Sequence, residues 1–156
     1  MDLDRDVALL QKSRPFKGCD AEKLRLLAFT AIPLRFAPGE LLLSEGETID
    51  HVLFVAKGQA ETSLESDGKR VAIGPVGERQ LIGLAMALSG RPSLVRVQAV
   101  SEVEALSLPY ADLRRFLLKA PDAALALLEE MAERVETHIS TARQFLHLRG
   151  SAPDEA

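Results

Sequence analysis

The sequence predicts a mainly β fold, an antiparallel β-roll of the jelly-roll or double-stranded β-helix kind, with short helices before it and a long helix after it. Three observations predict this. Between Ile32 and Leu108, short apolar stretches are separated by the turn sequences PG, EGE, KG, SDG and GPVG, at the close spacing of an antiparallel roll. On both flanks the apolar residues recur at helical spacing. A proline at 121 then opens a helical run that continues to about Leu148.

Taken in order, Leu3, Val7 and Leu10 place apolar side chains on one face of a helix over residues 3–12. Asp20 stands where an N-cap starts a second helix, DAEKLRLLAF. Strands are expected in AIPLRFA, ELLLS, HVLFVAKG, QAETSLES, KRVAIG, SLVRVQAV and EVEALSL. After Pro109 the helical period returns in YADLRRFLLK, breaks at Ala120-Pro121, and resumes from about Asp122. The 156 residues suffice for one core, without internal repeats. The expected division is a roll with its N-terminal helices over 1–119, the long helix over 120–149 within the same domain, and a disordered stub over 150–156.

The long helix carries a second pattern. Leu125, Leu128, Ala132, Val135, Ile139, Ala142 and Leu146 are spaced alternately by three and four, an unbroken a/d seam. Such a seam asks for a second helix, and a parallel homodimer through these residues is expected. Met131, His138 and Phe145 widen the stripe beside the seam, so the same helix should also touch its own roll.

Charge and composition narrow the function. The net charge of −4 leaves no basic excess to neutralise nucleic-acid phosphates. No apolar run is long enough to span a membrane, and MDLDRDVALLQ lacks the basic-then-apolar order of a signal peptide, so a cytoplasmic protein is expected. The single Cys19 has no second cysteine for a disulfide or a CxxC site and reads as inert. His51, His138 and His147 form no HxH or HExxH pattern, which leaves a metal site without ligands. Glu45, Glu47 and Asp50 lack the order of a calcium loop and read as a solvated turn. GxSxG, GxxxxGKS and GxGxxG are all missing, so no catalytic residue is assigned and no enzyme is expected.

The order of motifs is more specific than any one of them. Phe16 and Gly18 precede a small helix, PGE occupies 38–40, EGE 45–47, and LFV at 53–55 closes on Gly58, with Gly68 in a hairpin turn. With the long C-terminal helix, this order resembles the cyclic nucleotide-binding domain of Crp/Fnr-type regulators, kinase regulatory subunits and gated channels, over about residues 10–146. The resemblance implies a non-enzymatic regulatory or sensor module, with cyclic AMP or cyclic GMP as the ligand class.

It also makes LIGLAMALSGRPSLVRVQA, residues 81–99, the phosphate-binding cassette. The family pattern is Gly-Glu-x-Ala-Leu-Leu, three residues, Pro-Arg, then a strand. Here Gly83, Leu84, Ala85, Met86, Ala87 and Leu88 are followed by Ser89-Gly90-Arg91 and Pro92-Ser93. Leu84 replaces the glutamate and Ser93 the arginine. Gly77 and Gly83 also stand two residues further apart than the family's Gly-Asp-x-x-Gly.

A cyclic phosphate is held by backbone N–H groups and a guanidinium, while a carboxylate accepts from the ribose hydroxyl. Losing two charged hydrogen bonds weakens binding by about a hundredfold to ten-thousandfold. Arg96 should face away from Ser93 by strand parity, which leaves Arg91 as the better surrogate; the plainer reading of Arg91, a solvated loop residue, is preferred. The candidate ligand-contacting set is therefore Gly83, Leu84, Ala85, Arg91, Pro92 and Ser93, with Thr137, Ser140 and Thr141 where the family's long helix offers polar contacts to the base. The expected site is weak, altered or empty of cyclic nucleotide.

Two alternatives stand beside this reading. One is a small cupin-like metal enzyme, for which PGELLLSEGETIDHVLF offers only His51. The other is the sensor part of a Crp/Fnr-type transcription regulator, whose DNA-binding helices would have to follow the long helix, where only eight residues remain after Leu148. No direct nucleic-acid partner is expected from the chain as it stands, and the downstream protein partner is not named by the sequence.

Overall fold

The computed structural model describes residues 2–150, and side chains through 147, so most of the expected tail lies outside the described residues. Two short helices lead in: α1 (Leu3–Gln11), capped by the Asp2 carboxylate accepting from the Arg5 N–H, and α2 (Ala21–Phe29), capped by Asp20 accepting from the Glu22 N–H. The roll follows with β1 (Ile32–Phe36), β2 (Leu41–Leu43), β3 (His51–Lys57), β4 (Ala60–Ser66), β5 (Lys69–Val76), β6 (Leu81–Ile82), the short α3 (Leu84–Ser89), β7 (Arg96–Ala99) and β8 (Val103–Pro109). It closes with α4 (Tyr110–Lys119) and α5 (Pro121–Gly150), the latter opening on the proline whose missing N–H costs nothing at a first helical position.

The strands form two four-stranded antiparallel sheets, in the orders β1-β8-β3-β6 and β2-β7-β4-β5. The expected β-roll is thus present. In the first sheet β3 is covered on both faces, which explains why HVLFVAKG reads as a nearly continuous apolar run instead of an alternation. Val52 and Phe54 of β3, with Leu106 and Leu108 of β8, point to the helices and pack with Leu10, Phe16, Leu24 and Leu113. Leu53, Val55, Val103 and Ala105 point the other way, into the space between the sheets, where they meet Leu43, Val97 and Ala99.

Two differences from the expected strands fall in one place. SLVRVQAV is a strand only from Arg96 onward, and Leu81–Ile82 pair with Leu53 and Phe54 as an unexpected short strand, β6. The loop before β7 accounts for the first of these. Ser93 donates its N–H to the Glu47 carbonyl at 2.8 Å and accepts at its own carbonyl from the Gly46 N–H at 2.8 Å. Those bonds tie the loop to the β2–β3 turn and leave it no sheet partner. Within the same turn, Glu45 is not simply solvated as the sequence suggested: its carboxylate accepts from Arg70 at 2.6 Å, and Arg70 also donates to the Ser63 hydroxyl. Asp50, by contrast, is exposed and bonds the His51 ring at 2.8 Å at the start of β3.

α5 lies across the roll on one face only. Ala123 and Leu127 are buried, with Met131 packed against the helical core, and His138 sits over Gly74 of β5, where a Cβ would come within 3.3 Å of the imidazole. No described helix is long and apolar enough to cross a membrane.

Candidate functional site

Residues 81–97 and α5, with Leu43, Thr62 and Val76, line a partly open cavity of about 190 Å³. Leu43, Val76, Ile82 and Val97 line it from the sheets, Leu84 and Met86 from α3, and Leu127, Met131 and Val135 from α5. The chain enters α3 through Gly83, whose φ of +92° is the left-handed region that favours glycine; a Cβ there would meet the Ile49 side chain at 3.4 Å. That turn places Gly83, Leu84 and Ala85 in the cavity wall.

The other half of the cassette does not join them. Arg91 and Pro92 are exposed and outside the lining, and the Arg91 backbone N–H donates to the Ser89 hydroxyl at 3.3 Å. Ser93 is buried, but its hydroxyl donates to the Val95 carbonyl at 2.8 Å and accepts from the Val95 N–H, so it is turned back on its own loop. Arg96 neighbours the inward Val97 and is absent from the lining, as strand alternation requires. On α5, the Thr137 and Thr141 hydroxyls donate one turn back, to the Glu133 and Thr137 carbonyls, and neither they nor Ser140 line the cavity.

What α5 does contribute is Glu130, Arg134 and His138, successive residues one turn apart. The Arg134 guanidinium donates through Nη1 to the Leu81 carbonyl at 2.8 Å, joining α5 to β6. Burial pushes the Arg134 pKa down, opposed by Glu130; burial pushes the Glu130 carboxyl up, opposed by Arg134. His138 is held below its ordinary value, first by burial and then by the Arg134 charge. The sequence reading counted Met131 and His138 as widening the apolar stripe but passed over Arg134. Its signal was available, since Leu127, Met131, Arg134 and His138 recur at four, three and four residues. Among the described residues no three His, Cys, Asp or Glu side chains gather as a metal ligand set.

A family model for the cyclic nucleotide-binding domain matches residues 33–120, more than half of the chain. The chain belongs to the cyclic nucleotide-binding domain family. Among curated proteins it is similar to potassium channel AKT2 of Oryza sativa subsp. japonica, 26% identical over 126 residues that cover 79% of this chain and 15% of the channel. Among solved structures it resembles the cyclic nucleotide-binding-like protein of Brucella abortus, 33% identical with a TM-score of 0.60, covering 73% of this chain and 98% of that one. The sensor domain of the transcriptional regulator DNR from Pseudomonas aeruginosa shares the fold, with a TM-score of 0.74 at 20% identity, covering 88% and 93% of the two chains. This cyclic nucleotide-binding domain thus spans less than a fifth of the channel and nearly the whole of both solved domains.

As a cyclic nucleotide-binding domain, the chain keeps the backbone of its cassette, Gly83 and α3, and places Leu84 where the resemblance puts a carboxylate. At the position of the arginine stands Ser93, bonded to its own loop.

Proposed function

We propose that this chain is a non-enzymatic regulatory or sensor module whose pocket has lost strong recognition of cyclic nucleotides. The observation that carries the reading is the self-bonded Ser93 beside a cavity wall in which Leu84 replaces an acceptor. The site comprises Gly83, Leu84 and Ala85 in the wall, with Arg91, Pro92 and Ser93 in the loop that follows. A cyclic AMP or cyclic GMP ligand is held weakly there. The roll and its leading helices over 1–119 act with the helix over 120–149 as one domain. The cupin-like enzyme and the sensor part of a Crp/Fnr-type transcription regulator lacking its DNA-binding domain are not favoured over this reading by the family match.

The module works as a parallel homodimer through Leu125, Leu128, Ala132, Val135, Ile139, Ala142 and Leu146. Every one of these is exposed in the single chain, and the five large ones lie between 55% and 65% exposed. They form an exposed apolar stripe along α5, with Val135 at its edge also bordering the cavity, the arrangement a partner helix covers.

Calorimetric titration with cyclic AMP and cyclic GMP tests the ligand part. The expected outcome is binding weaker than micromolar by about a hundredfold or more. Micromolar binding abolished by Arg91→Ala would show instead that Arg91 has taken over the lost charge.

A further inference from the structure

The cavity has a composition that suits another class of ligand. Its wall is mostly apolar, and among the described residues the polar side chains that reach it are Thr62 from β4 and Glu130, Arg134 and His138 from α5. A cavity of about 150 Å³ holds benzene, whereas drug-sized ligands fill roughly 300 Å³ or more. At about 190 Å³ this one is small for a nucleotide and right for an apolar body of roughly six to eight carbons.

Arg134 supplies the rest. Its Nη1 donates to the Leu81 carbonyl, and among the described residues no carboxylate closes a salt bridge with it. A guanidinium has more donors than one carbonyl can accept, and Glu130, which acts on this charge across one helical turn, makes no hydrogen bond to it. A planar carboxylate meets such a fork in two parallel hydrogen bonds. Glu130, one turn away on the same helix, sets the limit on charge: a dianion such as a phosphate monoester would be repelled by it.

We infer that the pocket binds a small apolar monocarboxylic acid, its hydrocarbon body between β7, α3 and α5 and its carboxylate on Arg134. The inference rests on the reading of the site as altered away from cyclic nucleotides. Because Arg134 also bridges α5 to β6, such a ligand would act on the element that carries the proposed dimer seam.

The test is titration of the full chain with octanoate, octan-1-ol and cyclic AMP at one pH, for wild type, Arg134→Met and Arg134→Lys. Octanoate should bind wild type at least about tenfold more tightly than the alcohol. Arg134→Met should erase that preference and Arg134→Lys retain part of it. Equal affinity for acid and alcohol, no saturable binding of octanoate, or unchanged octanoate binding by Arg134→Met would each overturn the inference. Should Arg134→Met fail to fold, the acid-to-alcohol ratio in wild type decides alone. Micromolar binding of cyclic AMP would overturn the altered-site reading, whichever way the acids behave.

Discussion

Gly58 ends the run LFVAKG with φ at +101°, and a Cβ there would lie 2.1 Å from the Glu102 carbonyl oxygen. Both strain and overlap act on any side chain, so Gly58→Ala should lower the unfolding free energy by about 2 kcal/mol or more. Denaturant unfolding checks this, and an unchanged midpoint would contradict it. His138 makes a second prediction. The unfolded chain takes up a proton as pH falls through the ordinary value of 6.5, while the folded imidazole, held lower by burial and Arg134, stays neutral. Stability should therefore be complete above 6.5 and decline below it, until the folded histidine itself protonates. Glu130 and Asp6, whose carboxyls are raised by burial, act with the opposite sign at more acid pH. A thermal melt series should accordingly be flatter just below pH 6.5 for His138→Gln than for wild type; identical slopes would remove His138 from the account. At this scale the sequence was informative about glycines and poor about charges. Gly58 and Gly83 are visible as punctuation, and helical spacing puts Arg134 on the face of Leu127 and Met131, but the order of residues does not name the Leu81 carbonyl as its partner or say that Ser93 folds back. Those depend on contacts between elements far apart in the chain.

Among elements, α5 divides its residues between two neighbours. Leu127, Met131 and His138 meet the roll, Val135 borders the same cavity, and the seam beside them is exposed. Placing a charge in the seam, as Ile139→Glu or as Val135→Glu at the edge that also borders the cavity, should shift sedimentation from dimer to monomer without unfolding the chain, because both residues are more than half exposed in the single protomer. A monomeric wild type would refute the seam. The helices, the Asp20 cap, Pro121 at the first position of α5 and most of the expected strand segments were legible because local periodicity and turn chemistry determine them. β6 was not legible. Two residues carry no period, and their strand character comes from Leu53 and Phe54 across the sheet.

For the whole molecule, the resemblance in motif order was enough to reach the fold that the family match and the two-sheet topology bear out. It did not reach the pocket's chemistry, which depends on what α5 contributes once it lies over the cassette. A mostly apolar wall, a self-bonded Ser93 and a half-buried arginine from outside the cassette are the observations behind the proposal that the pocket holds cyclic nucleotides weakly. The measurement closest to that claim is the dissociation constant of cyclic AMP for the intact chain. The account predicts a value weaker than micromolar by about a hundredfold or more, or no saturable binding; a micromolar constant would contradict it.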